Sequence, residues 1–315
     1  MKVFEKLNKI DSRIIYLLIS VVVLVPLLIE IPVEVESDKN SKTLYDSLTK
    51  VLSHETEKKT DKLTSEESKV DYGAENINRY YDQRIDDDVR ASGNKKILLS
   101  FDYGPSTKPE IAPMSYAIMK QIIRSNNEVH TMALWDTGLP MIAETKRKVL
   151  NDLGLDEGNV KMYDFGFKTG GESVIKGMLS DISKIFPNSK GKVDVQNLCD
   201  YDFIISFSAG SPGAKEWVQF GGDQSEASCG KKVKVSTGVT AVQVTELLPY
   251  VTDKEDSQLT GILAGATGGA SYEALVGEPA EAHQRMNSQS YAHILIVLLI
   301  IVGNISHFVL NKRKM

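Results

Sequence analysis

Five short runs in this chain combine glycine with serine, threonine or aspartate: Asp102-Tyr-Gly-Pro-Ser-Thr, Asp136-Thr-Gly, Lys168-Thr-Gly-Gly-Glu-Ser, Ser208-Ala-Gly-Ser-Pro-Gly and Ser236-Thr-Gly-Val-Thr. Glycine lets a backbone approach a ligand closely, and the hydroxyls and free amides around it suit a small polar or anionic molecule. The candidate ligand contacts are Asp102 and Ser106, Asp136 and Thr137, Gly170 and Gly171, Ser208 and Ser211, and Thr237 and Thr240. Turns that need glycine and helices that need an N-cap draw on the same residue types, so ordinary connections are the competing reading. Asp102 and Asp136 admit three roles: a carboxylate pair, a cation site, or surface N-caps.

Most catalytic signatures are missing. There is no G-x-G-x-x-G after the first strand, no G-x-x-x-x-G-K-[ST] and no G-x-S-x-G. Ala133-Leu-Trp-Asp-Thr-Gly has the form of an aspartic-protease catalytic turn. That chemistry needs two carboxylates sharing a proton, and here the triplet occurs once, between a strand and a helix. His130 lies inside an apolar strand and reads as a core residue. The two cysteines, Cys199 and Cys229, lack the C-x-x-C spacing or nearby histidine of a zinc site. They form one disulfide if the domain occupies an oxidising compartment, and otherwise stay as two thiols. No metal site or cofactor is expected, and which residue, if any, is catalytic is left unknown. A formal net charge of -5, with no long basic run on any expected helix, excludes a nucleic-acid footprint.

The candidate loops follow apolar runs. Ile97–Phe101, Val129–Trp135, Val160–Phe165, Phe203–Phe207 and Val233–Ser236 read as strands. Helical spacing follows each, over about Pro113–Arg124, Pro140–Leu153, Gly171–Phe186, Ala214–Phe220 and Thr240–Val251. Strands that are continuously apolar and alternate with helices predict a mainly parallel sheet covered on both faces, Rossmann-like or flavodoxin-like, in an α/β domain over residues 95–277. The strand order is left open, but a parallel sheet brings all five loops to one edge.

Hydrophobic segments flank that domain. Residues 14–33 carry an apolar run of roughly 18 to 20 residues, the length that crosses a hydrocarbon core, and residues 291–310 are a second such run, closed by Asn-Lys-Arg-Lys-Met. A cleaved signal peptide would show a shorter core and a small-x-small site, where this chain has Glu30-Ile-Pro-Val-Glu-Val-Glu. Lys2, Lys6, Lys9 and Arg13 outside the first span, and Lys312, Arg313 and Lys314 outside the second, predict a two-pass protein of the cell membrane. Both tails, residues 1–13 and 311–315, are then cytoplasmic, and the main domain is extracytoplasmic. Residues 34–53 are expected to hold a juxtamembrane helix N-capped by Ser41. Residues 54–94 read as a polar insertion with too little apolar surface to offset its ordering entropy, and residues 278–290 as a membrane-proximal segment.

Gly261, Gly265, Gly268 and Gly269 crowd the stretch before the second span. In a helix they permit close contact with another chain, since Gly261-x-x-x-Gly265 is a spacing of tight helix pairs in lipid. The alternative is a sixth strand, Thr260–Ala264, then a glycine turn and a short helix, Tyr272–Val276.

LLSFDYGPST, the Leu-Trp-x-x-Gly of the second loop, GGESVIKGM with its later Phe-Pro, SAGSPGAKEWV, GVTAV with LPY, and QLTGILAG through YEALVG together resemble an uncharacterised family of two-span bacterial and archaeal membrane proteins. The resemblance covers about Asp11–Asn304 apart from the polar insertion. It implies a topology and a shared loop edge, and no catalytic residue. The leading expectation is a non-enzymatic membrane protein whose α/β domain binds a membrane-protein partner or assembles as a homo-oligomer on the lipid bilayer. The rival is an enzyme or small-molecule receptor that uses the five-loop edge.

Overall fold

The computed structural model describes residues 12–28, 37–52, 95–252, 257–277 and 280–311. The chain divides into two compact units, residues 36–282 and residues 1–35 with 283–315. The principal helices are α1 (Ser12–Leu28), α2 (Lys39–Leu52), α3 (Lys108–Arg124), α4 (Gly138–Leu153), α5 (Glu172–Ser180), α6 (Gln224–Cys229), α7 (Gly265–Val276) and α8 (Glu281–Asn311). The strands are β1 (Lys96–Asp102), β2 (Glu128–Ala133), β3 (Met162–Phe167), β4 (Phe203–Ser208), β5 (Lys234–Val239) and β6 (Ile262–Ala264).

In the larger unit the six strands form one parallel sheet in the order β3-β2-β1-β4-β5-β6. This is the Rossmann-like arrangement, in which the winding reverses between the first strand and the fourth. Sequence explains why β1 and β4 are central. KILLSFD and FIISFS are buried along nearly their whole length, as strands covered on both faces must be. Ile97, Leu99 and Phe101 pack with α2, α3, α4 and α7, whereas Leu98 joins the opposite core with α5, Trp217 and Val235.

Several helices depart from the periodicity. Helix α3 starts at Lys108, ahead of the expected Pro113, because Pro109 sits in the first turn where its missing N–H is unneeded. Asp181, in extended backbone, stops α5 at Ser180 and accepts from Ser183 N to cap a separate turn, Ile182–Ile185. The stretch after β4 holds a short helix Ala214–Glu216, π-helical turns Trp217–Asp223, then α6. After β5 there is only Val244–Leu247 and a 3-10 turn, Leu248–Tyr250. Helix α2 is capped by Asp38, which accepts from Asn40 N and Ser41 N at 3.0 Å each, while Ser41 itself is buried.

The glycine stretch is a strand followed at once by α7, with no intervening turn. Gly261, Gly265, Gly268 and Gly269 are buried inside the domain, so they do not form an oligomer surface. A Cβ on Gly261 would meet Leu44 at 2.8 Å, on Gly265 Ala241 at 3.0 Å, on Gly268 the Leu263 backbone at 2.7 Å, and on Gly269 Ala282 at 3.1 Å. Cys199 and Cys229 form a disulfide, with Cα atoms 6.1 Å apart. The expected insertion at residues 54–94 lies outside the described residues.

Helix α8 is, among the described residues, the one helix long and apolar enough to cross a membrane, over Glu281–Ile305. Helix α1 carries a shorter apolar stretch, Ile14–Val25.

Candidate functional site

The parallel order brings the turns after β1, β2, β3 and β4 together at the carboxyl edge, around the point where the winding reverses. Trp135, just beyond β2, donates its indole N–H to the Pro212 carbonyl at 2.7 Å, tying the second loop to the fourth. A Cβ on Gly171 would meet Pro212 at 2.8 Å, which brings in the third loop, and Gly171 itself has φ +47. Gly138, at the start of α4, lies so close to the Phe101 carbonyl that only a hydrogen fits.

These contacts frame an open cleft of about 460 Å³, lined by Gly104, Pro105, Ser106, Leu134, Trp135, Asp136, Thr137, Phe167, Ser211 and Pro212. Four expected contacts therefore share it: Ser106, Asp136, Thr137 and Ser211. Asp136 is exposed and accepts from Thr137 N at 2.8 Å; Ser211 Oγ donates to Glu216 Oε1 at 2.5 Å. Asp136 supplies the only charge in the lining, so the cleft is mismatched to an anion. Leu134, Trp135, Phe167 and the two prolines make its walls largely apolar. Phe167 escaped the sequence reading because β3 runs two residues beyond Phe165, past a register shift against Thr131 and Ala133 and through Gly166 at φ +78.

Asp102 stands elsewhere. It is wholly buried on the face that packs against Trp217 and is neither in the cleft lining nor an N-cap. Its carboxyl accepts from Ser100 Oγ at 2.8 Å, Leu134 N at 2.8 Å, Ser206 Oγ at 3.1 Å and Trp217 Nε1 at 3.2 Å. Burial pushes this acid up to about 7, against the opposing pull of those hydrogen bonds. Asp102 and Asp136 are thus not a carboxylate pair.

The other expected contacts are also used internally. Ser208 Oγ donates to Gly210 O at 2.8 Å, and Thr237 Oγ1 donates to Ser206 O at 2.6 Å. Thr240 is buried and Gly170 is exposed at φ +129, both outside the lining. His130 has both ring nitrogens engaged, Nδ1 with Tyr201 Oη and Nε2 with Glu128 Oε1, each at 2.7 Å. Burial lowers its pKa, with Glu128 opposing. Among the described residues no group of three His, Cys, Asp or Glu side chains is placed to hold a metal ion.

No protein-family model matches this chain, and no curated protein matches it.

Proposed function

We propose that this chain is a two-span membrane protein whose extracytoplasmic Rossmann-like domain docks a protein partner at the carboxyl edge of its sheet. The observation that carries the proposal is where apolar surface remains uncovered. Among the described residues of the larger unit, the exposed large apolar side chains are Leu139, Phe167, Val242 and Leu248, at 39%, 38%, 86% and 46%. Leu139 opens α4 just after β2, Phe167 ends β3, and Val242 stands on the turn leaving β5. Scattered apolar exposure is ordinary on a surface, whereas its concentration on one edge marks a place for another molecule. The disulfide supports the compartment, because such bonds persist outside the reducing cytosol.

The test places a photo-crosslinking amino acid at Phe167 or Val242 in the membrane-bound protein, with exposed Lys190 as control. Adducts of higher mass from the edge positions and none from Lys190 are expected. Edge positions that give no adduct would sink the docking reading. Topology is tested separately: a tag at either terminus that an impermeant reagent reaches in intact cells contradicts the orientation.

A second reading rests on the cleft itself. Its hydroxyls and single carboxylate beside apolar walls suit an uncharged or cationic small molecule. Ligand-induced melting shifts across a metabolite panel that disappear in Asp136→Ala would favour it over docking.

A further inference from the structure

Asp136 and Lys168 follow adjacent strands at the same edge, and the Lys168 N–H donates to the Ala133 carbonyl at 3.0 Å, which fixes that lysine beside β2. Both side chains are exposed, and neither has an ion-pair partner among the described residues. Near them in the chain, Leu139 follows Asp136 in the first turn of α4 and Phe167 directly precedes Lys168, both exposed, while Trp135 is partly buried. The edge thus carries exposed apolar side chains together with one carboxylate and one ammonium that stand in no ion pair among the described residues.

A patch holding both signs of charge next to apolar surface is able to complement itself. Under a two-fold rotation residue i of one copy meets residue j of the other, and j meets i, so each charge pair occurs twice. We propose that this edge binds the same edge of a second copy of the chain. Asp136 of each copy faces Lys168 of the other, and Phe167 and Leu139 are buried between them. The inference rests on the reading of the carboxyl edge as a docking surface and names its occupant. Exposed ion pairs add little affinity alone, so the apolar centre supplies the attraction and the charges set register and partner choice. The methylene stem of Lys168 can lie over the apolar centre while its ammonium reaches the opposite carboxylate. Confinement of both copies to one bilayer raises their effective concentration.

Charge exchange tests this on the full-length chain in detergent, with mass from light scattering over a concentration series. The wild type is expected to reach the two-copy mass. Asp136→Lys and Lys168→Glu alone each place like charges opposite one another, and each should move the monomer–dimer midpoint about tenfold or more towards higher concentration. The double variant Asp136→Lys/Lys168→Glu restores both pairs and should recover the wild-type midpoint. So should an equimolar mixture of the two single variants, in which every charge meets an opposite one. Both positions are exposed, so melting temperatures that match the wild type verify that the variants are folded.

Single variants that dimerise like the wild type would overturn the proposal, as would a double variant no stronger than the singles. A wild type that stays monomeric but still gives adducts with other proteins from Phe167 overturns the two-copy interface and leaves docking at this edge standing. A monomer without adducts removes both.

Discussion

Trp217 donates its indole N–H to the carboxyl of Asp102 at 3.2 Å, joining residues 115 positions apart in a layer from which water is excluded. The bond ties the π-helical turns after β4 to the end of β1, beside the reversal of the winding. Ser100, Ser206 and the Leu134 amide meet the same carboxyl, so one acid gathers β1, β4, the second loop and the π-helical turns.

That acid makes the stability of the domain depend on pH in a defined direction. Asp102 titrates at about 7 in the fold, against an ordinary value of 3.8. The folded state therefore holds its proton where the unfolded chain has lost it. The contribution to stability is fully present below 3.8 and is lost as pH rises through about 7. Urea unfolding across this window should show wild-type stability falling relative to Asp102→Asn, at a limiting slope of about 1.4 kcal/mol per pH unit, with no further change above it. A difference that is flat throughout the window would refute this titration.

Gly138 and Gly158 give a paired test of packing. A Cβ on Gly138 would fall 2.0 Å from the Phe101 carbonyl oxygen and 2.8 Å from Ala133, whereas one on Gly158 meets nothing within 4 Å. Gly138→Ala forces the start of α4 away from β1 and is expected to cost about 3 kcal/mol or more, while Gly158→Ala stays within about 0.5 kcal/mol of the wild type. Thermal melting of both variants is the measurement, and equal melting temperatures would contradict the close approach.

The disulfide encloses a segment with a sequence separation of 30. Loop closure of that size corresponds to about 3 to 4 kcal/mol of constraint on the unfolded chain. Replacing both cysteines by serine should lower stability by about that amount. Thiol labelling of unfolded wild-type protein should show reactive cysteines only after reduction. Labelling without reductant would mean that the bridge is not formed in the cell.

Glu273 is buried in α7 and accepts from Ala280 N and Ala282 N, each at 3.0 Å, so it satisfies amides at the start of α8. Glu273→Ala strips those donors of their partner and should cost about 1 to 3 kcal/mol. Faster amide exchange confined to the residues around Ala280 and Ala282 would locate the loss; exchange unchanged there would dismiss the capping role.

The strands were largely legible in the sequence because a buried parallel strand is apolar on both faces, and Ile97–Phe101 and Phe203–Phe207 lie within β1 and β4. Helix ends were less so. Asp181 and the π-helical Trp217–Asp223 break a periodicity that apolar spacing alone carries through. Of the candidate site, Ser106, Asp136, Thr137 and Ser211 share the cleft, but Asp102 does not. The pattern marks Asp102 as the end of a strand without saying which face its side chain takes. Trp217, which answers that question, lies 115 residues further on. The third loop misled for another reason: a register shift in β3 that no single-chain pattern reveals carries Phe167 into the lining.

Helix α2 packs against β6 and α7: Leu44, Leu48 and Leu52 share a core with Leu263 and Tyr272, and the Tyr45 and Tyr272 rings stand 5.9 Å apart, edge to face. Helix α2, which also meets α3 where Gln121 Nε2 donates to Thr49 Oγ1 at 3.0 Å, thus completes its cover only with β6 and α7, far along the chain. During translation its leucines lack part of their native cover until those late residues leave the ribosome, which makes closure a long-range and comparatively slow event. A chain halted before Ile262 should carry a sticky leucine face near its beginning and attract chaperones, and one released after Val276 should not.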